Sequence, residues 1–388
     1  MNNPHVMNTY ARFPLRLARG QGCRAWDDEG NAYLDFISGI AVNTLGHAHP
    51  RLAEAIAAQA KEMLHCSNLF HIPQQEQLAE RLSGLSGLAR TFFCNSGAEA
   101  NEAAIKIARK HFHDQGSSRR TIITATQSFH GRLLSTLTAT GQDKVKIGFD
   151  PLPLGFRHVP LNDMAALEAA VDETTAAILL EPLQGEGGVN IADADYLRAV
   201  RELCDRHGIL MMLDEIQTGV GRTGTMFAYQ QSGIHPDVLT LAKGLGGGVP
   251  IGAMLATEKV AEAFGPGSHG STFGGNPLSC TAALTVLDVM ADEALLANVE
   301  AQGARLRQGL IDLQQRFPAI VEVRGQGLLI GAELAGEAAP VISEARAKGL
   351  LILSAGPKVL RFLPPLNVTA AEVDEALAIL ATALEACA

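Results

Sequence analysis

The chain has 388 residues, 47% hydrophobic and 19% charged, which argues against a disordered protein and leaves room for two or three domains. Its 31 basic and 41 acidic side chains give a net charge of −10, which argues against a nucleic-acid or anionic-membrane partner. No apolar run reaches the roughly 18 to 20 residues of a membrane span. Residues 1–12 lack the apolar core of a secretory leader, and the six cysteines form no Cys-x-x-Cys pair, so reduced thiols and a cytoplasmic location are expected.

In chain order, residues 14–37 read as a strand-rich start, with Gly20, Gly22 and Gly30 at turns. The apolar spacing of 51–64 predicts an amphipathic helix. A second helix, 99–112, follows Asn95-Ser96-Gly97. Apolar runs at 121–125, 176–180, 209–213 and 238–241 predict strands separated by helices such as 192–207. This alternation indicates a parallel sheet covered on both faces. After about residue 285 the pattern becomes helix 293–317, strands 320–324 and 328–334, helix 339–348, short strands at 350–353 and 359–363, and helix 370–386. Three parts are expected: an N-terminal segment, 1–50, that joins the small domain; a large domain, 51–285; and a C-terminal small domain, 286–388.

Chemistry-bearing residues fall at the ends of the predicted strands. Glu181 follows Ile178-Leu179-Leu180, Asp214 follows Met211-Met212-Leu213, and Lys243 follows Leu239 to Ala242 and opens into Gly244-Leu245-Gly246-Gly247-Gly248. Open α/β sheets bind ligands outside the carboxyl ends of their strands. A lysine there is placed to become a desolvated amine that captures an aldehyde. An acid beside it could serve a pyridine nitrogen, and together these are what pyridoxal phosphate needs. Each feature alone has an ordinary reading as a solvated turn lysine or a turn-capping carboxylate.

Asn95-Ser96-Gly97-Ala98 opens a helix and offers either an N-cap or a phosphate cradle. The loop containing Gly270-Ser271-Thr272 could lend Thr272 to a phosphate or be a tight turn. Gly219-Val220-Gly221-Arg222-Thr223-Gly224 fits the dinucleotide fingerprint but lies away from its strand, with no good helix start after it, so a dehydrogenase is set aside. The pairs His47/His49 and His111/His113 lack a third partner at metal spacing, and no metal is expected.

Taken together, Asn95 to Asn101, Phe129-His130-Gly131-Arg132, Glu181 to Gly187, Asp214 to Gly219, Leu241-Ala242-Lys243-Gly244 and Gly270-Ser271-Thr272 resemble, in this order, the class III (ω-amino) pyridoxal-phosphate aminotransferases. The resemblance runs from about Tyr10 to Leu366. It implies an α/β chain with the fold-type-I architecture of PLP-dependent transferases, in which a large domain with a mostly parallel sheet is joined by a smaller α+β domain. It also implies a homodimer with shared active sites. The stretch Ser38 to His47 most resembles the branch that moves the ω-amino group of N-acetylornithine to 2-oxoglutarate.

Carried over by resemblance, Lys243 would hold the cofactor as a Schiff base and Asp214 would pair with its ring nitrogen. Gln217 would contact the ring hydroxyl and Phe129 would stack on the ring. Ser96, Gly97 and Ala98 would meet the phosphate, and Thr272 would reach the phosphate in the neighbouring subunit. Arg132 and Arg361 would bind substrate carboxylates, with Glu186 neutralising Arg361 in one half-reaction. Donors such as ornithine, succinylornithine, succinyl-diaminopimelate or 4-aminobutyrate stay open. So do an aminomutase and a non-catalytic binding protein on the same fold.

Overall fold

In the computed structural model, which describes residues 5–387, three short antiparallel strands come first: β1 (Leu17–Gln21), β2 (Arg24–Asp27) and β3 (Ala32–Asp35). The chain then makes an unusual turn at Ser38–Ala41, where Ser38, Gly39, Ile40 and Ala41 have φ of 49°, 63°, 66° and 60°. Left-handed backbone costs a residue with a side chain roughly 1–2 kcal/mol. The turn is held by Asp35, whose Oδ1 accepts from the amides of Ile37 and Ser38 (both 2.9 Å) while Oδ2 lies 2.8 Å from His47 Nε2. This constraint carries Val42 to the wall of the cavity described below.

The large sheet follows. Its strands are β4 (Arg90–Cys94), β5 (Thr121–Ala125), β6 (Phe156–Val159), β7 (Thr175–Leu180), then, after a small hairpin of β8 (Leu183–Gln184) and β9 (Asn190–Ile191), β10 (Leu210–Asp214), β11 (Val238–Leu241) and β12 (Gly252–Ala256). Their order is β4-β12-β11-β10-β7-β5-β6, and β12 alone runs antiparallel to its neighbours. Strands β5, β7, β10, β11 and β12 are buried along their whole length. Strands covered on both faces have no polar side, so they read as unbroken apolar runs.

Helices Gly97–Asp114 and Ala194–His207 cover the sheet close to the lengths expected. The first helix of this part, Pro50–Glu62, packs on Pro277–Asp292, which also contacts Pro73–Ser86. The sequence reading found neither of the last two. Helix Pro277–Asp292 is apolar nearly all round, so it shows no 3.6-residue stripe.

After helix Leu295–Arg316 come β13 (Ile320–Gln326), β14 (Leu329–Leu334), β15 (Leu350–Leu351), β16 (Leu353–Ala355) and β17 (Val359–Phe362), with helices Ala338–Ala347 and Ala370–Cys387. β13, β14, β17 and β16 form an antiparallel sheet in that order. The run expected as one strand at 350–353 divides: β15 leaves to pair in parallel with β3, Leu350 opposite Leu34. One buried apolar cluster extends from Leu34 and Phe36 through Leu213 and Leu241 to Leu360 and Leu384. Each such side chain contributes roughly 1.5–3 kcal/mol. Among the described residues no helix is long and apolar enough to cross a membrane.

Candidate active site

The carboxyl ends of β7, β10 and β11 and the start of the Gly97–Asp114 helix meet at a cavity of about 410 Å³. Lys243 comes just after β11, at the start of the short turn Lys243–Gly246, with φ of 42°. Thr44 Oγ1 donates to the carbonyl of Gly244 at 2.9 Å, tying this strained turn to the N-terminal segment. Lys243 is half-buried at the cavity wall, and burial depresses the pKa of its amine. Arg361 adds to that effect, while Glu186, Asp214 and Glu181 oppose it. A depressed pKa leaves more free amine at neutral pH, the form that attacks a carbonyl.

Asp214, the last residue of β10, is 4% exposed. Its Oδ2 accepts from Asn101 Nδ2 at 2.7 Å and His130 Nδ1 at 2.8 Å, and its Oδ1 accepts from the Ile216 amide at 3.0 Å. A carboxylate only accepts, so His130 carries its proton on Nδ1. Glu181 follows Leu180, which stands opposite Leu213 in the sheet, and accepts from the Phe129 amide at 3.1 Å.

The phosphate-cradle candidate forms a true helix start. Ser96 caps it by accepting from the Glu99 amide at 3.2 Å, and the Glu99 carboxylate accepts from the Asn95 amide at 2.9 Å. Gly97 and Ala98 occupy the first turn at the positive end of an 18-residue helix. Gly97 has no room for a side chain, because a Cβ there would lie 2.8 Å from Ile216. This close approach sets the helix start against the loop after Asp214.

Arg361 lies on β17 and is 2% exposed. Its Nη1 donates to Glu186 Oε1 at 2.6 Å and to the Gly185 carbonyl at 2.7 Å, while its buried Nε has no partner among the described residues. Gln217 Nε2 donates to the same Glu186 oxygen at 3.2 Å. Burial works against the charge of Glu186, but Arg361 and Lys243 outweigh it and the net shift of its pKa is downward. Glu186 is thus an anion paired with a buried guanidinium at the cavity wall.

Of the residues singled out in the sequence, Ser96, Gly97, Ala98, Phe129, Arg132, Glu186, Asp214, Gln217 and Lys243 all line this cavity. Arg361 stands behind Glu186. Arg132 is exposed, its guanidinium 5.7 Å from the Phe129 ring centre. Thr272 is exposed and is not part of the wall. Tyr10 is also exposed, with Arg12 5.6 Å from its ring. The Gly219-to-Gly224 run is a turn whose Arg222 donates to the carbonyls of Leu328 and Pro364, so it ties the segment after β10 to the C-terminal part of the chain.

Asn101 and His130 lay within the motifs quoted from the sequence but received no role there. Their one legible signal is place: Asn101 is one helical turn past Gly97 and so shares its face, and His130 adjoins Phe129. Taken as a set, the cavity fits pyridoxal 5′-phosphate. The helix start suits a phosphate, Asp214 a ring N–H, Phe129 a ring face and Lys243 an aldehyde.

Comparison with known proteins agrees. The family model described as "Aminotransferase class-III" matches residues 6–384. The acetylornithine aminotransferase of Thermosynechococcus vestitus is 54% identical over 98% of this chain and 95% of its own length. Among solved structures, the N-acetylornithine aminotransferase of Stenotrophomonas maltophilia superposes with a TM-score of 0.86 at 45% identity, covering 97% of each chain. An ornithine aminotransferase from Toxoplasma gondii, solved with partial occupancy of PLP at its active site, gives 0.95 at 35% identity, over 98% of this chain and 92% of that one. The chain belongs to the class-III aminotransferases and is a PLP-dependent enzyme.

Proposed function

We propose that this enzyme moves the ω-amino group of N-acetyl-L-ornithine to 2-oxoglutarate, giving N-acetyl-L-glutamate 5-semialdehyde and L-glutamate. The observation that carries the reading is the pairing of Arg361 with Glu186 at one side of a cavity that has on its wall Arg132, which makes no ion pair among the described residues. The two substrates differ in shape. The donor has one carboxylate far from its reacting amine, whereas the acceptor has a carboxylate at each end. A fixed pair of arginines would suit only the acceptor. An arginine masked by a movable carboxylate suits both, and the close relatives named for acetylornithine support that choice.

When bound, PLP supplies an aldehyde for the amine and a ring that withdraws electrons from the reacting carbon. In this reading Ser96, Gly97 and Ala98 hold the phosphate, Gln217 meets the ring hydroxyl, and Phe129 covers one ring face. Asp214 keeps the ring nitrogen protonated. Lys243 Nζ would take up the proton from the substrate carbon next to the reacting nitrogen and hold it for return as a general acid. Arg132 binds the α-carboxylate of the donor and the distal carboxylate of 2-oxoglutarate through its planar fork. Glu186 neutralises Arg361 while the ω-amine donor is bound, then releases it to the α-carboxylate of glutamate.

We further propose a homodimer, in which Thr272 reaches the phosphate at the neighbouring site. Leu69, Phe70 and Phe273 are 88%, 68% and 60% exposed, and Asn68 Nδ2 donates to Ser271 and Gly274 carbonyls beside Thr272. Clustered exposed apolar side chains next to that loop suit a second copy. A cytoplasmic location accords with six free cysteines. The test of the reading is a panel of ω-amines with 2-oxoglutarate. N-acetylornithine should give the highest kcat/KM, and a higher value for ornithine, succinylornithine or 4-aminobutyrate would overturn the substrate assignment.

A further inference from the structure

Glu181 is a buried titratable group of the cavity to which the reaction above gives no task. It follows β7 as Asp214 closes β10, and these strands run parallel with Leu180 opposite Leu213. The next residue of each strand is therefore a neighbour across the sheet, where strands lie about 4.8 Å apart. Both side chains line the same cavity. Two carboxyl groups placed so closely in a water-poor site cannot both ionise cheaply, and one of them takes a proton.

Their hydrogen bonds differ in number. Asp214 accepts two from groups that can only donate, the Asn101 side-chain amide and the Ile216 backbone amide, and meets His130 Nδ1 at 2.8 Å. Among the described residues Glu181 accepts one, from the Phe129 amide. Donors aimed at a carboxylate favour its charged form, so the charge belongs on Asp214. Asn101 organises this asymmetry. It is fully buried, and its Oδ1 accepts from Thr240 Oγ1 at 2.7 Å, which turns its amide nitrogen toward Asp214. That nitrogen also donates to the His130 carbonyl at 2.9 Å, fixing the segment that carries the second donor.

We propose that Asp214 and Glu181 hold one proton between them, that it resides on Glu181, and that Asn101 is the positioning residue that keeps it off Asp214. The proposal rests on the reading that Asp214 faces the cofactor's ring nitrogen, since only an ionised Asp214 keeps that nitrogen protonated. Burial and the charge of Asp214 both push the Glu181 carboxyl upward, and Glu186 adds to them. The Phe129 amide and Lys243 act in the other direction.

The test uses the full-length holoenzyme. Difference infrared spectra near neutral pH, wild type minus Glu181→Gln, should show a protonated-carboxyl band assigned to Glu181, and its absence would overturn the placement of the proton. Asn101→Leu should let the proton move onto Asp214, which costs the cofactor's ring N–H its bond to a charged group, so PLP binding should weaken by about tenfold and the pH titration of the visible absorption should shift. Glu181→Gln alone should retain PLP within about twofold, because a neutral group replaces a neutral group. The double variant should recover most of the loss, since without the Glu181 carboxyl there is no shared proton to move onto Asp214. A merely structural Asn101 would leave the double variant as weak as Asn101→Leu, which would contradict the proposal. Asp214→Ala separates the two claims: unchanged PLP affinity there would overturn the cofactor reading, whereas a missing band overturns the proton placement whatever Asp214 does.

Discussion

Arg361 Nη1 and Glu186 Oε1 lie 2.6 Å apart, and this pair is the part of the cavity best suited to change between half-reactions. Glu186 is only partly buried, while Arg361 is held from behind by the Gly185 carbonyl. The carboxylate can leave and the guanidinium stays. Glu186→Gln should therefore uncover Arg361 permanently. We expect kcat/KM for N-acetylornithine to fall by about tenfold, with the KM for 2-oxoglutarate unchanged or lower. Separate single-turnover measurements of the two half-reactions check this. Equal losses in both would show that Glu186 does not discriminate between them.

Gly185 gives a second test of the same corner. A Cβ added there would come within 1.8 Å of Gln217 Oε1, so the glutamine must move. Gly185→Ala should displace Gln217 from Glu186 and lower PLP affinity by about tenfold while the chain stays folded. Equilibrium dialysis of the cofactor, with circular dichroism to verify folding, measures both.

Glu215 predicts a pH dependence of stability. It is 1% exposed and accepts from the amides of Ala228 and Tyr229, and burial pushes its carboxyl up to about 7. Its folded pKa lies above the ordinary value of 4.5, so the native state keeps a proton that the unfolded chain has lost. Its contribution is full below about pH 4.5 and is lost as pH rises through about 7, an effect of up to about 3 kcal/mol. In Glu215→Gln this dependence disappears. The Tm of the parent minus that of the variant should shrink steadily across that window, and a flat difference would contradict the assignment.

Arg222 ties the segment after β10 to the C-terminal part of the chain through a buried guanidinium, 2% exposed, whose pKa burial lowers to about 9. Replacing it with Met leaves the Leu328 and Pro364 carbonyls without their donor. We expect a loss of about 3 kcal/mol in denaturant unfolding, since each buried carbonyl left unpaired costs about 1–3 kcal/mol. A loss below about 1 kcal/mol would mean that the two carbonyls find other donors.

The legible part of this molecule was the part whose physics is local. Strands β5, β7, β10 and β11 announce themselves because burial on both faces demands continuous apolar runs, and the acid or lysine that ends such a run stands out. Edge strands β4 and β6 are only partly buried and carry no such run. Strand β12 is buried but built mostly of small residues. The left-handed turn at Ser38–Ala41 depends on the Asp35–His47 contact, which no periodicity encodes. The Arg361–Glu186 contact joins residues far apart in the chain and came into view in the sequence only through resemblance. Asn101 looks like any helical asparagine until the sheet places Asp214 and Thr240 beside it. The part expected of Thr272 belongs to a second subunit and is not visible from one chain.

The central claim is that Lys243 is the amine that holds the cofactor. Borohydride reduction of the holoenzyme, followed by peptide mass spectrometry, tests it most directly. The expected result is bleaching of the visible absorption with one pyridoxyl phosphate added at Lys243 and none in Lys243→Ala. Addition at another lysine, or a Lys243→Ala variant that transaminates at the parent rate, would contradict it.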